Sequence, residues 1–267
     1  MNAPRHRANP TAPDHPSNHI RTDGLCRRRQ ARRGRDRSGG TWFIDGGYDD
    51  AGWLADEFRA AGNTPVGCGF ITWSLARSPQ LLDQVLEHRP RTIFLSFGDP
   101  QPFAHSIKSV GSLLMCQVQT RCDAEHALSR GADVIVAQGA EAGGHGERRS
   151  TFTLVPEIAD LIAARGANSL LCAAGGIADG RGLAAALMLG ADGVVVGSRF
   201  WATQEANVSP RMHWRALVAS GDDTVRSRVM DIARKLAWPE RYTARVLRNA
   251  FTERWHGRER ELLAVAD

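Results

Sequence analysis

Long apolar runs are missing from this chain. Its apolar stretches are four to eight residues long and stop at Gly, Asp or Gln. That is well short of the ~18 residues a membrane helix needs, so no membrane-spanning role is expected. Lysine is almost absent, with Lys108 and Lys235 alone among many arginines, a coding bias with little physical content. Cysteine is sparse too. Cys26, Cys68, Cys116, Cys122 and Cys172 form no CxxC pair and meet no histidine at zinc spacing, so no metal site is expected. An odd cysteine count without a secretory signal fits a reduced, cytoplasmic protein, with Cys116 and Cys172 as small core residues. There is no GxGxxG after a first strand and no GxxxxGK[ST] loop, which disfavours dinucleotide and triphosphatase folds. A nucleophile elbow and a pair of catalytic carboxylates are missing as well.

What remains is a globular composition, 42% apolar and 24% charged, in 267 residues. The charge is unevenly placed. Residues 1–40 hold ten arginines against three aspartates, while the whole chain stands at +5 and the rest is therefore slightly acidic. Nucleic-acid binding by the body gains no support from this. Residues 1–38 are rich in Pro, Asn, His and Arg without apolar periodicity, and are expected to form a disordered tail. Residues 39–267 are expected to form the folded domain.

From residue 41 the pattern alternates strand and helix. Strands are predicted at Thr41–Ile44, Thr64–Phe70, Thr92–Phe97, Leu113–Val118, Val134–Ala137, Ser169–Ala173 and Gly193–Val196. Helices are predicted at Asp50–Ala61, Pro79–Glu87, Pro102–Val110, Asp123–Arg130, Pro156–Ala164 and Gly180–Leu189. The last of these is expected to bury Leu183, Leu187 and Met188, with Asp179 as its N-cap. Repeated βα units imply a parallel sheet. Seven strands suit either an open doubly wound sheet or a (β/α)₈ barrel lacking its first strand. The placement of glycines favours the barrel, incomplete at its N-terminus and followed by a C-terminal helical segment. In that segment Arg226, Arg234, Arg241 and Arg245 are expected on solvated helix surfaces, because acidic residues including Asp222, Asp231 and Glu253 accompany them.

Two clusters carry the chemistry. In VIVAQGAEAGGHGERR, residues 134–149, a buried strand enters a loop of small residues that lets backbone approach a ligand. His145 in its middle suits acid–base work, with Glu141 and Glu147 as possible orienting partners. In residues 170–200, two successive strands end in the glycine turns Gly175-Gly176 and Gly197-Ser198. Barrels hold phosphate between the loops after their last two strands. GCGF at 67–70 and SFGDP at 96–100 are weaker candidates for the barrel mouth, with Asp99 as a turn residue. Gln117 and Gln119 share one strand face.

AQGAEAGGHG (137–146), AAGGIADGRGLAAALMLGADGVVVGSRFWA (173–202) and the weaker GG–F–GGY segment at 39–48 resemble the nitronate monooxygenase, or 2-nitropropane dioxygenase-like, flavoproteins. The resemblance implies an FMN-dependent barrel enzyme that oxidises alkyl nitronates with O₂ to a carbonyl compound and nitrite. It implies FMN contacts by Gln138 and Gly143. Gly175, Gly176, Val195, Val196, Gly197 and Ser198 would form the phosphate site, and His145 would be the active-site base. Gly69 stands where many relatives carry an FMN-contacting Asn. A small-molecule substrate is the expected partner, with neither nucleic acid nor membrane. An NAD(P)H-dependent enoyl-thioester reductase on the same scaffold, or a truncated inactive member, are the alternatives.

Overall fold

A computed structural model describes residues 42–266 apart from Asp49 and Asn207. The expected tail, Cys26 and Thr41 lie outside the described residues. Seven strands form one wholly parallel sheet: β1 Phe43–Asp45, β2 Gly67–Ile71, β3 Thr92–Ser96, β4 Leu113–Val118, β5 Val134–Gln138, β7 Leu170–Ala174 and β8 Gly193–Val195. They pair in the order β1-β2-β3-β4-β5-β7-β8. This is the (β/α)₈ pattern with one strand fewer, so β1 and β8 are its two edges among the described residues. The predicted strands fall on these elements to within a few residues.

Pleating sorts the strand residues between two faces. Ile93 and Leu95, Leu114 and Cys116, Ile135 and Ala137, and Leu171 and Ala173 join the core beneath the helices. From the helices come Leu54 and Phe58, Leu82 and Val85, Ile107, and Leu154 with Ile158. Burying each such side chain stabilises the fold by about 1.5–3 kcal/mol. The alternate residues Phe94, Met115, Val136 and Ala174 form a second cluster inside the barrel, with Cys172 partly buried against it. One further pleat toward the carboxyl ends, the inward positions become Ser96, Gln117 and Gln138. The interior is thus apolar at its base and polar at its mouth.

Three expectations need correction. The helix predicted from Pro156 runs over Thr151–Ala164 with Pro156 inside it. Its start is fixed by the Glu141 carboxylate, which accepts the Thr151 backbone N–H at 2.9 Å. The helix Gly180–Met188 has its Asp179 cap, but only Ala186 is buried. Leu183, Leu187 and Met188 are exposed, Met188 to 87%, because the helix flanks β8 at the sheet edge and no further described element packs there. Finally, the C-terminal part is not all helical. β9 (Thr224–Ser227) and β10 (Thr243–Leu247) pair antiparallel with each other, and β10 pairs with β6 (Gly144–Gly146). Their arginines hide the alternation, since Arg226 and Arg245 are themselves partly buried.

Candidate active site

The carboxyl ends of the parallel strands enclose a cavity of about 250 Å³. Gln138, Gly143, His145, Gly175, Gly176, Val195, Gly197 and Ser198 all line it, although 60 residues separate the first from the last in sequence. Val196 does not. Val195 points inward with the barrel interior, so the next residue turns to the other face. Gly69, Phe70, Ser96 and Phe97 also line the cavity, as the GCGF and SFGDP segments lead one to expect.

Gln138 is held by two other glutamines. Gln119 Nε2 donates to Gln138 Oε1 at 3.0 Å, and Gln117 Nε2 donates to the same oxygen at 3.2 Å. The carbonyl is therefore occupied, and the Gln138 amide N–H₂ is the group left to face a ligand. Gln119 is 2% exposed, so its amide is committed to this bond.

Two of the glycines that line the cavity have no room for a side chain. A Cβ on Gly143 would lie 2.4 Å from Ser198 Oγ, joining the β5 loop to the turn after β8. Gly175 has φ +99°, and a Cβ there would meet the Ala142 backbone nitrogen at 2.9 Å. Only glycine meets both conditions at Gly175.

The loop between β5 and β6 is clamped from the C-terminal sheet. Arg226 donates to the carbonyl oxygens of Gly146 at 3.0 Å, Ala140 at 3.2 Å and Ala142 at 3.3 Å. Arg245 Nη2 donates to Ala140 O at 3.0 Å. Burial, with the neighbouring Arg245 charge, lowers Arg226 to about 10. Neither arginine behaves as the solvated helical residue expected of it. Glu141 and Glu147 do not orient His145. Glu141 holds Thr151, and Glu147 pairs with Arg241, which also reaches Asp123 at 2.8 Å.

The partner of His145 is Asp231. His145 Nε2 lies 3.0 and 3.1 Å from the two carboxylate oxygens, and both residues are buried. Trp238 stacks on the imidazole with centroids 3.5 Å apart and planes 7° from parallel. Phe97 meets it edge-on at 6.3 Å, from a left-handed backbone with φ +64°. Trp238 donates through Nε1 to Tyr48 Oη at 3.0 Å. Burial pushes the Tyr48 and Tyr242 phenols up to about 12, so both remain neutral near pH 7.

The family model for nitronate monooxygenase matches residues 69–264. The chain belongs to the nitronate monooxygenase family. It is 36% identical over 211 residues to a nitronate monooxygenase of Neurospora crassa, covering 69% of this chain and 56% of that protein. It is 37% identical over 200 residues to nitronate monooxygenase npaC of Metarhizium robertsii, with 69% and 55% covered. The chain thus spans little more than half the length of these relatives. The solved structure of FabK from Thermotoga maritima superposes with a TM-score of 0.73 at 31% identity, covering 86% of this chain and 70% of that one.

Within this member of the family, sequence reasoning missed Asp231, Trp238 and Arg226 as site residues. Asp231 lies 86 positions from His145, in a short helix without a motif. Trp238 was visible only as one of several aromatics among arginines. Thr224–Ser227 and Thr243–Leu247 form strands where a helix was expected, and their arginines left no clear alternation to signal it.

Proposed function

We propose that this protein binds FMN in the cavity and oxidises alkyl nitronates, or the parent nitroalkanes, with O₂ to a carbonyl compound and nitrite. The observation that carries this reading is the convergence of His145, Gln138 and the two glycine turns on one cavity in a chain of this family. The lining suits the cofactor. Phe70, Phe94 and Phe97 give an apolar wall for a flat ring, the Gln138 amide offers donors for its polar edge, and Arg199 beside Gly197 and Ser198 gives a cation for a phosphate. Gly175 and Gly176, without side chains, leave their backbone open to the same phosphate.

Bound FMN would supply the electron transfer that the protein's own side chains lack. His145 would take the α-proton of a neutral nitroalkane, or hold an already ionised nitronate by hydrogen bond. A positioned base of this kind contributes ~10²–10⁴ in rate. Trp238 stacks on the histidine and Phe97 meets it edge-on, which gives the imidazole an apolar side.

The test is an absorbance spectrum of purified protein from 300 to 550 nm before and after incubation with FMN and desalting, then nitrite release from ethylnitronate and nitroethane. A retained flavin band with nitrite production that falls at least 100-fold in His145→Ala on nitroethane is expected. No retained band would sink the reading and favour an inactive member. Rapid anaerobic bleaching of the flavin by NADPH, without nitrite release, would favour the enoyl-thioester reductase instead.

A further inference from the structure

We infer that Asp231 is a positioning residue that fixes the protonation geometry of His145, leaving Nδ1 as the nitrogen that receives the substrate proton. The inference rests on the reading of His145 as the base, but its geometry can be tested without turnover.

A carboxylate this deeply buried is costly unless it accepts hydrogen bonds. Asp231 is 4% exposed, and its one ion-pair partner among the described residues is His145. Nε2 sits almost equally far from both oxygens, at 3.0 and 3.1 Å. That arrangement demands a hydrogen on Nε2, because a carboxylate only accepts. One face of the ring is closed by Trp238. Nδ1 bonds to no described residue and is not among the sealed polar atoms, so it opens on the cavity that His145 lines. With Nε2 protonated, a neutral imidazole carries its lone pair on Nδ1. In the reaction the Cα–H bond of a nitroalkane breaks, its electron pair moves into the nitro group to give the nitronate, and the proton arrives at Nδ1. The resulting imidazolium keeps Asp231 as its counter-charge.

One small sheet and the short helix that follows β9 hold the two partners. β6 carries His145, whose backbone pairs with Ala244 of β10. β10 pairs with β9 through Ala244 and Ser227. Four residues beyond Ser227 comes Asp231, its backbone N–H bonded to Arg228 O at 3.0 Å. Ser227 Oγ accepts the Val229 N–H at 3.3 Å and secures the turn between them. Strand pairing and the turn after β9 therefore bring the two backbones close, and the two buried side chains complete the contact.

The experiment uses the full chain with ¹⁵N-labelled imidazoles in mildly alkaline buffer, with His145 assigned by the signals lost in His145→Ala. A proton on Nε2 and none on Nδ1 is expected. A proton on Nδ1, alone or with one on Nε2, overturns the proposal whatever the enzyme does. In the flavin-loaded enzyme, Asp231→Asn and Asp231→Ala are compared on nitroethane and on ethylnitronate. Asp231→Asn should lose about 100-fold in kcat on nitroethane, and this loss should exceed that on ethylnitronate at least tenfold. Equal losses on both substrates, or none on either, would overturn it. If Asp231→Ala fails to fold, Asp231→Asn decides alone. If the unaltered enzyme turns over neither substrate, the functional reading falls, and the nitrogen spectrum alone decides the proposal.

Discussion

The candidate active site is assembled from two regions built on opposite principles. The wall expected to hold the cofactor comes from the ends of β5, β7 and β8, within residues 138–198, where each side chain is placed by its own strand and the loop after it. The histidine side is built by β6, β9 and β10, an antiparallel patch that gathers residues 144–146 and 224–247. In the first region local sequence determines local geometry. In the second, position depends on pairing between distant segments, so both the function of Arg226 and the setting of His145 follow from contacts 80 or more residues apart.

The sharpest way to break the first region is Gly175→Val. A side chain there needs a left-handed backbone and collides with the Ala142 nitrogen and the Gly139 carbonyl, 2.9 and 3.0 Å from the new Cβ. Left-handed strain alone costs about 1–3 kcal/mol. The midpoint of thermal unfolding should fall by roughly 10 °C, at about 2–4 °C per kcal/mol for a chain of this size. Flavin retention after desalting should be lost. Unchanged retention would mean that this turn does not hold the cofactor.

Arg226→Met tests whether the two regions are separable. It leaves the Gly146 and Ala142 carbonyls without their arginine donor, while Ala140 keeps Arg245. An unsatisfied buried acceptor costs about 1–3 kcal/mol. The expected result is a lower melting temperature and a kcat on nitroethane reduced by about tenfold, with most flavin retained. Flavin loss as severe as in Gly175→Val would show that the loop between β5 and β6 couples both halves into one unit. Gln119→Leu is a milder probe of the cofactor wall. It removes the 3.0 Å bond to Gln138 Oε1 but leaves the 3.2 Å bond from Gln117. A loss of about 1 kcal/mol in FMN binding, roughly a fivefold weaker Kd by flavin fluorescence titration, is expected. A Kd unchanged within twofold would mean that Gln117 alone fixes the amide.

The same division explains what was legible beforehand. Seven parallel strands announce themselves as short apolar runs with glycine at their ends, and the loops that follow them carry the recognisable small-residue clusters. Gln138, Gly143, His145 and the Gly175-Gly176 turn, all of which line the cavity, therefore stand out in the sequence as candidate residues. β9 and β10 were not, because Thr-Val-Arg-Ser and Thr-Ala-Arg-Val-Leu place charged residues where a buried strand normally has apolar ones. Arg226 is tolerated there because backbone carbonyls receive its guanidinium, a compensation that no local pattern records. Asp231 was hidden for the same reason. Its partner is supplied by tertiary structure, and its neighbours form an ordinary five-residue helix.

The helix Gly180–Met188 gives the smallest expected effect and separates periodicity from burial. Its leucines and Met188 fall at spacings that suit a core-facing stripe, as Leu154, Ile158 and Leu161 do on Thr151–Ala164. The two helices flank neighbouring strands, yet Leu154 is 0% exposed and Met188 is 87% exposed. The difference is positional. Thr151–Ala164 packs over β5 and β7 in mid-sheet, whereas Gly180–Met188 sits beside β8, where the described sheet ends. Leu154→Ala should cost about 2–5 kcal/mol through lost contacts and a cavity. Met188→Lys should stay within about 0.5 kcal/mol, as for other exposed positions, while lowering aggregation on heating by breaking an apolar surface. Parallel thermal melts of the two variants decide it. If Met188→Lys destabilises the chain as strongly as Leu154→Ala, then an apolar element covers this helix in solution and the sheet does not end at β8.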